Sequence, residues 1–203
     1  MKNKIFKLFG FSLLLVVLDQ AIKMWVHFNM ELGYFGQIRV LGDFVSLFYT
    51  LNDGVAFGAL GDMQADPNRK DYFKSILTLV RLGASIGIGY YLVQIVKKQA
   101  QEGYLWSIAA ILGGAVGNII DCMFYGVIPF INNALPNKPY KFLNGQVIDM
   151  FYIHICDINI GTFQMTLWPI FNFADSCIFC AVIWIIIKNK TYLKDNFEIV
   201  SKG

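Results

Sequence analysis

Four aspartates in this chain lie inside or beside long hydrophobic stretches, where charged side chains are rare and usually functional. They are Asp19, Asp121, Asp149 and Asp175. Two carboxyl groups that share one site tend to hold a single proton between them, because like charges a few ångströms apart do not readily both ionise. The ionised carboxylate can then take a proton from water while the protonated one polarises a carbonyl, as in aspartic proteases. These residues therefore indicate the acid–base chemistry of peptide-bond hydrolysis.

Polar partners accompany three of these aspartates at helical spacing. The pairs are Asp19 with Lys23, Asn118 with Asp121, and Asn172 with Asp175. Residues three or four positions apart share one face of a helix. At about 1.5 Å per residue, Asp19 lies roughly 16 Å from one end of its helix and Asp175 roughly 12 Å from the opposite end of its own. We therefore expect the acids to converge at one depth, with the apolar stretch around Asp149 dipping to meet them.

The elements that would position these residues are four membrane-spanning helices. A helix needs about 20 mainly apolar residues to cross a bilayer, and four stretches qualify, at about residues 8–28, 73–96, 104–125 and 167–187. The 203 residues are 56% hydrophobic and only 15% charged, whereas soluble domains average about 25% charged residues. We predict one membrane domain over residues 1–203. A net charge of only +3, without a basic run that carries aromatics, argues against nucleic acid as a partner.

Lysine clusters set the predicted orientation. They precede the first helix, fill the turn between the second and third, and follow the fourth, at Lys2, Lys4, Lys7, Lys97, Lys98, Lys188, Lys190 and Lys194. Positive residues favour the cytoplasmic side, so both termini are predicted there and segments 29–72 and 126–166 outside. Residues 37–51 are rich in strand formers and predict a small hairpin. The Pro- and Asn-rich part of the second segment predicts an exposed loop.

Two other functions remain open from the residues alone. A proton-coupled transporter component also uses intramembrane acids, but it predicts acids spread through the membrane and inverted repeats. Cys177 and Cys180 form a C-x-x-C in an apolar helix, as a membrane disulfide oxidoreductase could use. No His, Cys or carboxylate spacing fits a metal site, so neither a metal nor a cofactor is expected. Gly113 and Gly117 predict close packing of the third helix.

Five short motifs follow one another along the chain. They are DQAIK (residues 19–23), LNDGVAFG (51–58), GGAVGNIIDC (113–122), VIDMF (147–151) and FNFADS (171–176). Together they resemble the lipoprotein signal peptidase family, also called signal peptidase II, over nearly the whole chain. The resemblance implies a mainly α, four-transmembrane-helix membrane protein with a small extracytoplasmic β-cradle. It also implies an aspartic peptidase of the bacterial inner membrane that removes signal peptides from diacylglyceryl-modified prolipoproteins, cutting just before the lipid-modified cysteine.

The resemblance also assigns roles to residues. Asp149 and Asp175 would form the catalytic dyad. Residues that would support the site or contact substrate are Asp19, Lys23, Asn52, Gly54, Asn118, Asp121 and Asn172. The expected partners are the prolipoprotein and membrane lipids, and we expect a monomer with its active site near the periplasmic face.

One position departs from the family's pattern. An arginine usually follows the aspartate of the third helix, and this chain has Cys122 there. Arg81 or Lys141 could supply the missing cation.

Overall fold

Long apolar helices dominate the computed structural model, which describes residues 1–42, 44–52, 67–132, 141–154, 156–160, 163–167 and 170–188. The helices are α1 Lys2–Asn29, α2 Pro67–Lys97, α3 Glu102–Phe124, the single turn α4 Pro129–Asn132, and α5 Phe173–Ile187. Three of them are long and apolar enough to cross a membrane: α1, Asp71–Lys97 within α2, and α3. The 15 residues of α5 form a shorter apolar helix.

The strands form two antiparallel sheets. β1 Ile38–Leu41, β2 Val45–Asn52, β3 Val147–Ile153 and β6 Ile170–Phe171 build a four-stranded sheet in the order β1-β2-β3-β6. β4 Cys156–Ile160 and β5 Phe163–Leu167 pair separately. The hairpin predicted at residues 37–51 is confirmed as β1 and β2. The four-stranded sheet marks one end of the helix bundle, called the sheet end below.

Two sequence predictions on the sheet side of the bundle are corrected. The fourth helix does not begin at residue 167, because β5 ends there and β6 follows before the helix begins at Phe173. The Pro- and Asn-rich segment, expected to be an exposed loop, contains the helical turn α4, in which Ile131 is buried, while residues 133–140 lie outside the described residues. Short apolar runs do not by themselves distinguish a buried strand from a helix, so the helix start was placed too early.

α3 lies at the centre of the bundle, packed against α1, α2 and α5. Its glycines permit this close approach. A methyl group at Gly113 would lie 2.9 Å from the carbonyl oxygen of Ser12, and one at Gly114 would overlap the carbonyl of Ala174. Ser12 Oγ also donates a hydrogen bond of 2.7 Å to the carbonyl of Ala109. The close packing predicted at Gly113 is therefore confirmed.

The outward faces of the helices are apolar. Phe6 of α1, Ile86 of α2 and Phe179 of α5 are 81%, 66% and 66% exposed, respectively. Extended apolar surface of this kind marks contact with a membrane or a partner. Together with the lengths of α1, α2 and α3, it shows a multi-pass membrane protein.

The sheet is joined to the helices by a buried apolar cluster. Val26 and Met30 of α1 meet Tyr49 of β2 and Ile148 and Met150 of β3. Residues 147–150 of β3 are all buried, so this strand is fixed on both faces. The functional candidate at position 149 is therefore held in a rigid strand between two anchored neighbours.

Candidate active site

The first turn of α5 fixes Asp175. Asn172 is the N-cap of this helix, and its side-chain oxygen accepts a hydrogen bond of 3.0 Å from the backbone N–H of Asp175. The Asp175 carboxylate accepts in return from the backbone N–H of Asn172 at 3.3 Å, completing a capping box. A carboxylate in the first turn is also stabilised by the helix dipole. Asp175 is thus held at the sheet end of α5.

Asp149 reaches the same place from β3. One carboxylate oxygen accepts from Asn172 Nδ2 at 2.7 Å, and the other accepts from Asn52 Nδ2 at 2.9 Å. β6 pairs with β3 through Phe151 and Phe171, and Asn172 directly follows β6. The register of the sheet therefore places Asn172 beside Asp149. The motif FNFADS contains both the last residue of β6 and the cap of α5. The sequence therefore accounts for this geometry only once β6 is known.

A cleft of about 330 Å³ contains both carboxyl groups. Asp149 and Asp175 line it together with Asn52 of β2 and Asn118 of α3. Asn172 contacts both aspartates, and Asn118 Nδ2 donates to Asp175 Oδ1 at 2.7 Å. The structure therefore brings the two predicted catalytic aspartates to one cleft and surrounds them with amides.

The environment of Asp149 favours its protonated form. Burial of this side chain, which is 2% exposed, and the nearby Asp175 carboxylate raise the pKa of Asp149 to about 6. Hydrogen bonds from Asn52 and Asn172 act in the opposite direction. A carboxyl with a pKa near neutrality can both accept and donate a proton, which is what acid–base catalysis requires.

A second group of charges lies behind the cleft. Lys23 Nζ is 2.7 Å from Asp19 Oδ2 and 2.7 Å from Asp121 Oδ2, and all three side chains are 0–2% exposed. Asp19 Oδ1 also accepts from the backbone N–H of Ala174 at 2.9 Å. These three residues, called the ion cluster below, tie α1, α3 and the start of α5 together.

Asn118 connects the ion cluster to the cleft. Its side-chain oxygen accepts from Lys23 Nζ at 3.0 Å and from Asn172 Nδ2 at 3.0 Å, while its amide nitrogen donates to Asp175. The predicted site residues Asp19, Lys23, Asn118, Asp121 and Asn172 are therefore linked in one network. This hydrogen-bond network connects the buried charges of the ion cluster, through the side-chain amides, to the two carboxyls of the cleft.

Arg81 of α2 occupies the neighbourhood of the missing family arginine. Its Nη1 donates to Cys122 Sγ at 3.3 Å, and of the described residues that line the cleft, Arg81 alone is positively charged. Lys141, the other candidate, forms an ion pair with Asp71 instead. The guanidinium near Cys122 thus comes from α2.

Sequence reasoning missed two members of the network. Gln20 donates to Asp121 Oδ1 at 2.8 Å and to the carbonyl of Gly117 at 3.1 Å, and Tyr125 donates to Gln20 at 2.8 Å. The signal for Gln20 was present, because it is a polar residue beside Asp19 in an apolar helix. Gly54, which was predicted to support the site, lies outside the described residues.

Metal-ligating groups and the C-x-x-C cysteines were the other chemical candidates. In the part of the chain that the structure describes, no group of three or more His, Cys, Asp or Glu side chains is arranged to hold a metal ion. Cys177 is half-buried and Cys180 is exposed on α5, and both are free thiols.

Comparison with known proteins identifies the family. The model of the family described as Signal peptidase (SPase) II matches residues 11–190. A protein of Amoebophilus asiaticus named lipoprotein signal peptidase is 38% identical over 202 residues, covering 96% of this chain and 82% of the relative. One with the same name from Porphyromonas gingivalis is 34% identical over 194 residues, covering 86% and 78%, respectively.

A solved structure shows the same architecture. It is a bacterial membrane enzyme determined by the in meso method, 28% identical in sequence, with a TM-score of 0.52. The alignment covers 94% of this chain and 89% of that structure. The family match over most of the chain, the two named relatives and this likeness agree with one another, and the chain belongs to the signal peptidase II family.

Proposed function

We propose that this protein is an aspartic endopeptidase that removes signal peptides from diacylglyceryl-modified prolipoproteins, cutting just before the lipid-modified cysteine. Membership of the family makes it a peptidase. The observation that carries the aspartic mechanism is that Asp149 and Asp175 line one cleft and share Asn172. The names of its relatives support prolipoproteins as the substrate.

The chemistry follows from one proton shared by the two carboxyls. A water held between Asp149 and Asp175 attacks the scissile carbonyl carbon and gives its proton to the ionised carboxylate, while the protonated carboxyl donates to the carbonyl oxygen. Collapse of the tetrahedral intermediate breaks the C–N bond, and the amine of the lipid-modified cysteine leaves with a proton. The proton belongs to the pair, because two strongly interacting acids titrate together.

The asparagines orient this pair. Asn172 and Asn52 donate to opposite oxygens of Asp149, and Asn118 donates to Asp175. Amide donors hold a carboxylate in position without adding the charge that would force both acids to ionise.

The location of the site supports a membrane-bound substrate. We place the protein in the bacterial inner membrane with both termini in the cytoplasm and the sheet end near the periplasmic face. The start of α1 and the start of α3 meet at the opposite end of the bundle, where Lys4 and Glu102 pair at 2.6 Å. Lys97 and Lys98 lie in the adjacent turn, as expected for the cytoplasmic side. Residues 1–203 would act as one domain and as a monomer in contact with membrane lipids.

The family match does not support the alternative of a proton-coupled transporter component. A transporter would need acids that relay protons across the bilayer. In the part of the chain that the structure describes, Asp19, Asp121, Asp149 and Asp175 are joined in one network at the sheet end. That arrangement favours chemistry at one site over passage through the membrane.

Asp149→Asn and Asp175→Asn test the proposal directly. The protein is purified in detergent and given a diacylglyceryl-modified prolipoprotein, and cleavage is followed by gel shift with and without a chelator. We expect each variant to lose about 10²- to 10⁴-fold in rate, and the chelator to have no effect. Asp71→Asn is the matched control, since Asp71 pairs with Lys141, and it should cleave at the normal rate. Normal cleavage by either dyad variant would remove that residue from the mechanism.

A further inference from the structure

An apolar groove of about 670 Å³ lies between α1, α2 and α3. It is lined by residues 9–16 of α1, residues 82–93 of α2 and residues 112–120 of α3, with side chains that are almost entirely hydrocarbon or aromatic. The hydroxyl of Ser12, one of its few polar groups, already donates to the carbonyls of Leu8 and Ala109. A groove with so few polar partners does not favour ordered water or a peptide backbone.

The groove adjoins the cleft that contains the dyad. Ser85 of α2 and Ile119 of α3 line both of them. From this shared boundary the groove runs away from the sheet end, toward Phe9 and Val93. The α2 segment that lines it, residues 82–93, is about 17 Å long at about 1.5 Å per residue. This length is close to half of a hydrocarbon core of about 30 Å, so the groove is long enough for one acyl chain.

Packing of the helices leaves this space open. α2 packs mainly against α3 and makes few contacts with α1. Gly89 lies on the groove side of α2, where an added Cβ would be 3.8 Å from Phe9 and 3.9 Å from Leu112. A larger side chain at this position would therefore project into the groove. Gly87, two residues earlier on α2, has nothing within 4 Å of an added Cβ and does not line the groove.

We propose that the groove binds one acyl chain of the substrate's diacylglyceryl group, an inference that rests on the proposed function. Moving an acyl chain from the bilayer into an apolar groove gains little hydrophobic free energy, because lipid tails are as apolar as the groove. The groove therefore acts by positioning. The chain is covalently attached to the cysteine beside the scissile bond, so seating the chain aligns that bond with Asp149 and Asp175.

Filling the groove should impair cleavage according to acyl length. Gly89→Leu and the matched control Gly87→Leu are assayed on two prolipoproteins that differ only in carrying palmitoyl or short hexanoyl chains. We expect Gly89→Leu to lower kcat/KM for the palmitoyl substrate about tenfold, since misaligned reacting groups cost at least that much. It should leave the hexanoyl substrate within about twofold, and Gly87→Leu should change neither. Equal effects of Gly89→Leu on both substrates, or no effect on either, would overturn the proposal.

Cross-linking tests the occupant without relying on turnover. A prolipoprotein with a diazirine near the end of one acyl chain is bound to the Asp149→Asn variant, irradiated, and mapped by mass spectrometry. We expect adducts within residues 9–16, 82–93 and 112–120, which line the groove. Adducts elsewhere would overturn the proposal. So would a phosphatidylethanolamine with the same diazirine that labels these residues equally in the presence of saturating substrate, because a bilayer lipid would then be the occupant. Failure of the wild type to cleave any prolipoprotein would instead reject the proposed function.

Discussion

Two pairs of aspartates lie in one network, and they differ in what stands between them. Lys23 Nζ lies 2.7 Å from both Asp19 and Asp121 in the ion cluster. Asp149 and Asp175 are linked instead by the neutral amides of Asn172, whose side chain donates to the Asp149 carboxylate and whose backbone N–H donates to the Asp175 carboxylate. A buried cation satisfies the negative charge of its neighbours and fixes their geometry. A neutral amide fixes geometry as well, but it leaves the carboxyls free to share a proton.

The surroundings of the two pairs differ in the same sense. Burial alone does not separate them, because Asp149 is 2% exposed, as Asp19 is. Asp19 and Asp121 lie where α1, α3 and α5 pack together and do not line the cleft. Asp149 and Asp175 line the cleft of about 330 Å³. The same residue type thus serves structure in one place and, as we propose, chemistry in the other. The two pairs differ in their bonding partner, a lysine or an amide, and in whether they line the cleft. Changing either feature should change the stability or the reactivity of the pair.

The largest effect is expected from removing the cation of the ion cluster. Lys23→Met leaves Asp19 and Asp121 buried without their partner, which typically costs about 3–5 kcal/mol in stability. We expect a lower thermal unfolding midpoint in detergent and loss of cleavage. Lys4→Met breaks only the partly exposed pair with Glu102 and should cost about 0–1 kcal/mol.

A rescue variant sharpens this prediction. In Lys23→Met combined with Asp19→Asn and Asp121→Asn, no buried charge remains unpaired, so part of the lost stability should return. An unfolding midpoint of Lys23→Met that equals that of the wild type would show that the ion cluster does not hold the helices together.

A smaller effect is expected from crowding the ion cluster. A Cβ at position 117 would lie 2.7 Å from Asp19 Oδ2 and 3.4 Å from the side chain of Ala174. Gly117→Ala should therefore cost about 1–3 kcal/mol, as overpacking usually does, measured as a fall in the unfolding midpoint. Gly83→Ala, where an added Cβ meets nothing within 4 Å, should be neutral or slightly stabilising because alanine favours a helix. Equal midpoints for the two variants would mean that α1 and α3 can separate at this point.

The sequence predicted the helices better than it predicted which aspartates form the ion cluster and which form the dyad. Long apolar runs give α1, α2 and α3 directly, since their length is dictated by the bilayer. The four aspartates, in contrast, were expected to converge at one site. The spacing of Asp19 and Lys23 predicted that these two pair, which is confirmed, but it did not show that Asp121 would share the same lysine. Lys23 shares a helix face with Asp19, but its second contact, with Asp121, depends on how α1 packs against α3. The dyad was assigned by resemblance, through VIDMF and FNFADS.

Contacts between distant segments account for the rest of what was missed. The pairing of β3 with β6 places Asn172 beside Asp149, and a two-residue strand such as β6 carries no recognisable periodicity. The approach of Arg81 to Cys122 joins residues that are 41 positions apart. Sequence could name Arg81 as a candidate, but choosing it over Lys141 required the packing of α2 against α3.

The proton of the dyad gives a pH-dependent prediction. Burial and the Asp175 carboxylate raise the pKa of Asp149 to about 6, so this acid is protonated below that pH and ionised above it. The active dyad holds one proton, and kcat/KM should therefore fall about tenfold per pH unit once the pH exceeds about 6. The fall of kcat/KM with pH is measured from about pH 5 to about pH 9, and the unfolding midpoint is followed in the same buffers. A rate that is flat across this range while the fold is intact would contradict a shared proton.

Removing one amide of the cleft should change the pH at which kcat/KM begins to fall. Asn52 Nδ2 donates to Asp149 at 2.9 Å, and this hydrogen bond lowers the pKa of Asp149 because it favours the ionised form. In Asn52→Ala the pKa should be higher, so the fall in kcat/KM should begin at a higher pH, by less than about one pH unit for one neutral hydrogen bond. Asn29→Ala removes an exposed amide that donates only to the carbonyl of Trp25 among the described contacts. In this variant kcat/KM should begin to fall at the same pH as in the wild type. If the fall in kcat/KM of Asn52→Ala began at a lower pH, the pH dependence would report an acid other than Asp149. The contrast between the ion-paired and the amide-bridged aspartates would then describe their structure and not their chemistry.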